Sequence, residues 1–573
     1  MFYRIPDRPW SNIFYLPMLA ALFFSGCADS LNNDNSAAKP NIILIMSDDM
    51  GYSDIGCYGG EISTPNLDAL AANGLRFTQF YNTARCCPTR ASLMTGLYPQ
   101  QAGVGHMVSD RGTPAYQGDL SFNAVTIAEA LKLNGYSTYM SGKWHVTPFV
   151  IENPDKHNWP RQRGFDKFFG MISGAGSFYD PHSLVEDNEY VAPREGFYCT
   201  TDFTDYAVQC IEEHDTDNPF FLYLAYTAAH WPMHAPAEAV AKYKGSYDQG
   251  WDVLRQNRYE RMIKMGLIDS NWQMTPRDSF VSAWTDEVPD RDWELANMET
   301  YAAMIELMDA GIGQLVETLR DQGQLENTLI LFLQDNGACA EELSWVQQAN
   351  PDQTPMQPGE IQTRMIPRIT RDGKPVKVMK AGWPGPADGY TAYGLNWANA
   401  SNTPFREYKH WVHEGGISTP LIVHWPAKIT AKGEFRSEPA HLIDIMTTCI
   451  DVAGAHYPTK YNDHEIIPME GRSLMPAFAD QPLGREAIYW EHEGNRAVRM
   501  GKWKLVSKAS KKHAFVWDQT AKLEVVNWEL FDMENDRTEV KDIAQLHPEI
   551  VNKMATMWMD WAKRVGAVPR PSK

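Results

Sequence analysis

Short apolar segments alternate with segments of helical spacing along the first two thirds of the chain. The apolar segments predict strands of a sheet that is covered on both faces, at residues 41–46, 136–141, 219–226 and 328–333. Helical spacing and helix start and stop residues mark the segments 64–72, 126–134 and 294–319. This alternation predicts an α/β core, a large sheet sandwiched by helices.

The hydrophobic pattern changes at about residue 480. Short alternating segments joined by turns follow, at 486–490, 496–500, 503–507 and 529–531, and the segment 548–565 has helical spacing. We therefore predict a large catalytic domain at 40–479 and a smaller antiparallel sheet with one packed helix at 480–573. Residues 340–403 are rich in Pro and Gly and weakly periodic, which is typical of a substrate-facing insertion or lid.

The N-terminal segment has the features of a targeting signal. Arg4 and Arg8 precede an apolar run at 13–24 that is too short for an ordinary membrane span. The ending Ser25-Gly26-Cys27 resembles a bacterial lipoprotein signal, with residues 1–26 removed and Cys27 lipidated. The alternative is a plain secretory signal. Both predict export, either to the periplasm or cell envelope with a lipid anchor as the only membrane contact, or by secretion.

Composition narrows the possible partners and folds. Residues 27–39 are small and polar, as expected of a tether. A net charge of −20 disfavours nucleic-acid binding, so an anionic substrate must be attracted by a local cluster of cations. Eight cysteines in 573 residues are too few for a disulfide scaffold, although Cys199 and Cys210 could pair across a short loop.

Two of the predicted strands end in oxygen ligands. Asp48 and Asp49 follow the first strand, and Asp335 and Asn336 follow the strand at 328–333. The carboxyl ends of strands in open α/β sheets face the ligand crevice, and carboxylates that meet there need a cation. Hard oxygen ligands favour Ca²⁺ or Mg²⁺. The alternative is that each Asp only caps the turn that follows it.

The segment 86–96, Cys-Cys-Pro-Thr-Arg-Ala-Ser-Leu-Met-Thr-Gly, places two adjacent cysteines before a helix. Pro88 fits the first helical position and Gly96 the end, so Cys86 is expected just before a helix N-terminus that attracts anions. Arg90 adds donors for the same anion. Cys86 could act as a thiolate nucleophile, the pair could hold zinc although the spacing is wrong, or both thiols could simply be packed.

The motif Cys86-x-Pro88-Thr89-Arg90, followed by Thr95-Gly96, resembles the signature of the formylglycine-dependent sulfatases. The resemblance covers nearly the whole mature chain and is strongest to bacterial arylsulfatases of the alkaline phosphatase superfamily. It implies the alkaline-phosphatase-like fold, one Ca²⁺ per chain, and a maturation enzyme that oxidises Cys86 to formylglycine. Cys87 occupies the variable position and is expected to be structural.

The resemblance also implies a role for each remaining site residue. The calcium ligands would be Asp48, Asp49, Asp335, Asn336 and the modified Cys86. Arg90 would steady the formylglycine, and His145 would hold its hydrate and help to eject sulfate. Lys143, Lys409 and His230 would bind sulfate, with His230 protonating the leaving oxygen. His234 lies four residues after His230, but Pro232 and Pro236 argue against a helical zinc pair.

The sequence therefore predicts a hydrolase of sulfate esters, acting on aryl sulfates in assays and on sulfated small molecules, carbohydrates or oligosaccharides in nature. One alternative is a phosphate or phosphonate monoester hydrolase of the same superfamily. Another is a non-catalytic lipoprotein that binds anionic glycans. Aromatic residues in the 250–300 region and in the predicted insertion, including Tyr390, Tyr393 and Trp397, could stack on a ring, although most are expected to be packing residues.

Overall fold

Strands and helices alternate through most of the chain. The structure is a computed structural model that describes residues 38–149, 155–215, 217–343, 354–509 and 527–571. The predicted signal at 1–26, the lipidation site Cys27 and nearly all of the tether lie outside these described residues. None of the described helices combines the length and apolar composition needed to cross a bilayer.

The described residues form nineteen strands. They are β1 (Asn41–Ser47), β2 (Leu75–Tyr81), β3 (Ser137–Lys143), β4 (Lys167–Met171), β5 (Leu184–Glu186), β6 (Glu189–Tyr190), β7 (Phe220–Ala225), β8 (Thr328–Gln334), β9 (Lys377–Val378), β10 (Gly389–Tyr390), β11 (Ser418–His424), β12 (Glu434–Arg436), β13 (Ala440–His441), β14 (Lys460–Tyr461), β15 (His464–Glu465), β16 (Ile488–His492), β17 (Asn495–Met500), β18 (Trp503–Ser507) and β19 (Glu529–Asp532).

The same residues form twelve α-helices. They are α1 (Pro65–Ala72), α2 (Cys86–Thr95), α3 (Ile127–Lys132), α4 (Cys199–Glu212), α5 (Ala237–Ala241), α6 (Gly250–Lys264), α7 (Arg291–Asp321), α8 (Gly394–Ser401), α9 (Glu414–Ile417), α10 (Ile443–Val452), α11 (Met475–Phe478) and α12 (Pro548–Arg564).

Eleven of the strands form one mixed sheet at the centre of the fold. Its order is β12-β2-β11-β8-β1-β7-β3-β4-β5-β6, and β13 also pairs with β2. The neighbours β8, β1, β7, β3 and β4 are parallel, whereas β11 runs antiparallel to β8 and β2. The parallel strands end at the same edge of the sheet, and the candidate site lies there.

Helices cover both faces of this sheet because β1 is apolar on both sides. Ile43 and Ile45 pack in the core that contains α7, whereas Ile42, Leu44 and Met46 pack in the core that contains α2 and α10. Each strand position alternates between faces, so a continuous apolar run is what a sandwiched strand requires.

A second, four-stranded antiparallel sheet follows, in the order β16-β17-β18-β19. Helix α12 packs on it through buried tryptophans: the Trp558 indole donates a hydrogen bond to the Trp490 carbonyl at 2.8 Å, and Trp561 stacks on Tyr489. Both elements were predicted from the sequence. The two sheets lie within one compact unit that begins at Lys39.

The structure contradicts the suggested pairing of Cys199 and Cys210. Helix α4 begins at Cys199 and contains Cys210 about three turns later, roughly 16 Å along its axis. A disulfide needs Cα atoms within about 7 Å, so the two residues cannot be bridged while this helix is intact. Both are buried free thiols.

The described part of the predicted insertion contributes to the core. It contains β9, β10 and α8, and the side chains of Tyr390, Tyr393 and Trp397 are buried. These three residues are packing residues, as expected of most aromatic side chains in this region. Residues 344–353 lie outside the described part, and a lid role for the segment stays a prediction.

Candidate active site

The two predicted pairs of oxygen ligands meet at the end of the parallel strands. β1 and β8 are adjacent and in register, with Ser47 opposite Gln334, so the residues that follow them are neighbours. The Asp49 amide donates to Asp335 Oδ1 at 3.2 Å, and Asn336 Nδ2 donates to Asp49 Oδ1 at 2.8 Å. All four side chains are fully buried.

This oxygen cluster fits a hard cation. Asp48 Oδ1 and Asn336 Oδ1 are buried and accept no hydrogen bond from the described residues. A buried polar atom without a partner is costly, and a cation would satisfy both oxygens at once. Asp48 and Asp49 also lie with His230 in a group whose ligand atoms are within 4.8 Å of one another. The donors are mainly oxygens, which is the set Ca²⁺ prefers.

The pKa values of the aspartates also indicate that the cluster would be stabilised by a bound cation. Burial and the nearby Asp335 raise the pKa of Asp48 well above its ordinary value. Burial also acts to raise the pKa of Asp49, but the pKa is lowered overall, and the positive charge of Lys409 is the largest opposing cause. Burial and the neighbouring Asp335 thus disfavour the ionised form of Asp48 although Lys143 and Arg90 act the other way, and a bound ion would reverse that effect.

Two cations contact the aspartates that follow the adjacent strands β1 and β8. Lys143, the last residue of β3, donates from Nζ to Asp48 Oδ2 at 2.5 Å. Arg90 donates from Nη2 to Asp335 Oδ2 at 3.0 Å and from Nη1 to the Lys143 carbonyl at 3.0 Å. Both side chains are fully buried, so their interactions are not screened by water.

Lys409 and His230 lie beside Asp49. Lys409 Nζ lies 2.8 Å from Asp49 Oδ1 and 3.4 Å from His230 Nε2, and its amide donates to the Ala338 carbonyl at 3.0 Å. His230 Nδ1 lies 2.6 Å from the Trp231 carbonyl, which can only accept, so Nδ1 carries the proton and Nε2 accepts from Lys409. Burial lowers the pKa of His230 to about 3.

Helix α2 presents Cys86 to these groups. The helix begins at Cys86, two residues earlier than Pro88 predicts, after Arg85 in an extended conformation. It ends as predicted at Gly96, whose φ of 67° is easily adopted by glycine. Cys86 is only 2% exposed and its side chain faces the site. The sequence placed this residue just before the helix N-terminus, and in the structure it is the first residue of the helix.

The environment of Cys86 favours negative charge. A hydrogen bond with the Cys87 thiol and the charges of Lys143 and His145 lower the pKa of the Cys86 thiol well below its ordinary value, although burial opposes them. Cys87 is different, because burial raises the pKa of its thiol. Cys87 Sγ lies 3.1 Å from His145 Nε2, so the variable position packs against a site residue.

His145 follows β3 with a φ of 54°, a conformation that turns its ring towards the two cysteines. A Cβ atom on Gly174 would lie 2.0 Å from His145 Cε1, so only glycine leaves room for the ring there.

His234, by contrast, is held away from any metal role. Its Nε2 lies 3.0 Å from the Gly389 carbonyl, and its Nδ1 accepts from the Phe178 amide at 3.3 Å.

Glu341 is a site residue that the sequence did not reveal. It accepts from Arg85 Nη1 at 2.6 Å and from the Trp231 indole at 3.0 Å, and it lies 3.8 Å from Lys409 Nζ. Burial acts to raise the pKa of Glu341, but Arg85 and Lys409 outweigh it and hold the pKa below its ordinary range. No motif marks the residue, because its partners are distant in the sequence.

Comparisons with known proteins find matches over nearly the whole described chain. The family model described as Sulfatase matches residues 40–455, and one described as N-sulphoglucosamine sulphohydrolase, C-terminal, matches residues 406–563. An uncharacterized sulfatase of Schizosaccharomyces pombe is 30% identical over 95% of this chain and 97% of its own length. An arylsulfatase of Klebsiella aerogenes is 34% identical over 76% of this chain and 91% of its own.

Solved structures extend the comparison to the fold. The crystal structure of Ps i-CgsB in complex with k-i-k-neocarrahexaose has a TM-score of 0.62 and 25% identity, covering 93% of this chain and 98% of that one. The large mixed sheet, the smaller antiparallel sheet and this likeness confirm the predicted alkaline-phosphatase-like fold.

Proposed function

Because the chain belongs to the sulfatase family and is a sulfuric ester hydrolase, we propose that a formylglycine made from Cys86 supplies the nucleophile and that Ca²⁺ binds beside it. The observation that carries this proposal is the position of Cys86. Its side chain is buried at the start of α2 and lies in a group with Cys87 and His145. The positive charge of Lys143 acts to lower the pKa of its thiol. A nucleophile there meets both a helix N-terminus and cations.

The cation would be held by Asp48, Asp49, Asp335 and Asn336, together with the modified residue 86. Two of these side chains have a buried oxygen that no described residue satisfies, which supports the assignment. When bound, Ca²⁺ supplies positive charge that stabilises negative charge on the reacting oxygens. Arg90 would fix the position of the nucleophile, since its guanidinium is already held by Asp335 and the Lys143 carbonyl.

The protein side chains would bind and orient the ester. Lys143 contacts Asp48 and Lys409 contacts Asp49, and both lysines would contact the sulfuryl oxygens, where charge develops in the transition state. His230 would protonate the leaving oxygen. His230 Nε2, the nitrogen that would carry this proton, lies 3.4 Å from the Lys409 ammonium. His145 would hold the second oxygen of the formylglycine hydrate.

We propose a sulfated carbohydrate or oligosaccharide as the natural substrate. The solved structure of Ps i-CgsB, which covers 93% of this chain, was determined with k-i-k-neocarrahexaose, and this supports an oligosaccharide ligand. Aryl sulfates would serve as assay substrates, as the arylsulfatase relative suggests. The proposal includes export with a lipid anchor at Cys27 and maturation by a separate formylglycine-generating enzyme.

Matched aryl esters test the proposed function. We expect the matured enzyme to hydrolyse an aryl sulfate with a kcat/KM well above that for the corresponding aryl phosphate. Cys86→Ala should lower the sulfate turnover by a factor of about 10³ or more, because the nucleophile is lost. Cys87→Ala, which removes the neighbouring thiol, should keep turnover within about tenfold.

Two outcomes would overturn the proposal. A preference for the aryl phosphate would favour a phosphate or phosphonate monoester hydrolase. Equal sulfate turnover by Cys86→Ala and the unaltered protein would show that residue 86 is not the nucleophile. The comparisons with known proteins favour neither a phosphate or phosphonate monoester hydrolase nor a non-catalytic binding protein.

A further inference from the structure

A second group of metal-ligating side chains lies at the junction between the active-site loop and the C-terminal sheet. His410 directly follows Lys409, His492 is the last residue of β16, and Glu493 begins the turn between β16 and β17. One ligand atom from each of the three residues lies within 4.8 Å of the other two. The group shares no residue with the oxygen cluster around Asp48 and Asp49.

Glu493 is the centre of this group. Its Oε2 lies 2.7 Å from His410 Nδ1, and its Oε1 lies 2.6 Å from His106 Nε2. The backbone of both ligand loops is constrained, with a φ of 90° at His410 and 51° at Glu493. Such conformations in residues other than glycine cost free energy and persist only when the surroundings hold them.

His492 is the observation that points to a ligand. Its side chain is buried, with 1% exposure, and neither ring nitrogen has a hydrogen-bond partner among the described residues. An imidazole buried without partners is costly, because both nitrogens lose their hydrogen bonds to water. The ring lies beside His410 and Glu493, so a bound ion would satisfy one nitrogen.

We propose that His410, His492 and Glu493 bind a divalent transition metal of the zinc class. Two imidazoles and one carboxylate form a ligand set that zinc accepts, and water can complete the coordination. This chemistry differs from that of the aspartate and asparagine cluster, whose oxygen donors suit calcium.

His106 supports the ligands from outside. Its Nε2 lies 2.6 Å from Glu493 Oε1, and its ring stacks on His492 with the centroids 6.0 Å apart. Hydrogen bonds of this kind orient ligating carboxylates and strengthen metal sites. His106 belongs to the loop after α2, so the group joins three segments that are distant in the sequence.

The metal would therefore hold the Lys409 loop against the C-terminal sheet. His410 also donates its amide to the Ala84 carbonyl at 2.7 Å, two residues before Cys86. A fixed His410 limits the movement of Lys409 relative to the start of α2. The site is thus a positioning site for the active-site loop, and its metal does not act on the substrate.

Zinc binding to metal-free protein in excess Ca²⁺ tests the proposal, since the calcium fills the oxygen cluster. We expect about one zinc per chain after gel filtration, measured by elemental analysis. His492→Gln should lower the retained zinc at least about tenfold, and Glu493→Gln should do the same without removing an imidazole. Circular dichroism identifies any variant that has failed to fold.

Two control variants locate the metal. His441→Gln alters an equally buried histidine outside the group and should retain the zinc. Cys87→Ser alters the thiol beside His145, which belongs to another candidate group, and should also retain it. A Co²⁺ complex should lack the strong near-ultraviolet absorption of sulfur ligation.

Three results would overturn the proposal. The first is a protein that retains no zinc in the presence of calcium. The second is equal retention by the unaltered protein, His492→Gln and Glu493→Gln. The third is loss of zinc in Cys87→Ser together with retention in both cluster variants, because the metal would then be bound by the thiols.

Discussion

At the scale of single residues, the site depends on atoms that lack partners. Asp48 and Asn336 each have one buried oxygen that accepts no hydrogen bond from the described residues. Around them, Lys143, Arg90 and Lys409 pair with Asp48, Asp335 and Asp49 respectively. The protein therefore neutralises most of the buried negative charge itself and leaves one region for an added cation.

Removal of that cation should destabilise the fold. We expect a chelator to lower the midpoint of thermal unfolding and Ca²⁺ to restore it. At a Ca²⁺ concentration of about 100 Kd, binding should add about 2.7 kcal/mol to the free energy of unfolding. Asn336→Ala should reduce this calcium-dependent increment, because it deletes an oxygen ligand. Differential scanning calorimetry with and without calcium measures both effects.

The control for this prediction is Asn158→Ala, which removes a buried asparagine away from the site. That variant is expected to be less stable but to keep the full calcium-dependent increment. An increment that is unchanged in Asn336→Ala would contradict the assignment of Asn336 as a ligand.

The sequence revealed the residues with motif signals and missed those without. Cys86, Arg90, Lys143, His230 and Lys409 lie in recognisable patterns, and the structure brings all of them to one site. Glu341 and Gly174 matter only through partners far along the chain. Such contacts follow from the packing of loops, which periodicity cannot predict.

At the scale of helices and strands, the apolar pattern predicted the elements well and their ends less well. The strand at 503–507 has the predicted bounds, and in the predicted segment 64–72 the helix runs from Pro65 to Ala72 with Thr64 at the N-cap. Helix α2 starts earlier than Pro88 suggested, because Cys86 and Cys87 continue the helical turn. A proline is compatible with any position in the first turn, so it does not define the first residue.

Helix α7 contains a carboxyl group that should make stability depend on pH. Glu294 lies in its first turn, and burial raises the pKa of this side chain from 4.5 to about 7. Between these pH values the unfolded chain has released the proton and the folded chain still holds it. The free energy of unfolding should therefore fall as the pH rises from about 4.5 to about 7, by on the order of 3 kcal/mol.

Glu294→Gln removes this contribution, so its stability relative to the unaltered protein should increase with pH across the same window. Asp292→Asn is the matched control, because Asp292 is an exposed acid in the same helical turn. Urea denaturation at several pH values measures the difference. Parallel pH profiles for Glu294→Gln and the unaltered protein would contradict the prediction.

At the scale of the whole molecule, buried charges connect the C-terminal sheet to the active-site segment. Glu414, five residues after Lys409, accepts from Lys504 Nζ at 2.8 Å and from Arg537 Nε at 3.1 Å. All three side chains are fully buried. The sequence predicted the C-terminal sheet but not this connection, since the charged residues resemble ordinary surface positions of short strands.

Glu414→Gln should destabilise the protein by about 3–5 kcal/mol, because it leaves buried cations with too little negative charge. Asp532→Asn breaks a surface pair with Lys502 and should cost less than about 1 kcal/mol. Denaturant unfolding of both variants measures the contrast. Equal losses in the free energy of unfolding would show that the buried ion pairs of Glu414 stabilise the fold no more than the surface pair does.

The central claim is that Cys86 is the precursor of the catalytic nucleophile. The most direct test is the mass of the peptide that contains residue 86, taken from protein purified from its native source and assayed in the same preparation with an aryl sulfate. We predict a formylglycine at position 86 and an unmodified Cys87 in active protein. An unmodified Cys86 in a preparation that turns over the sulfate ester at full rate would contradict the account.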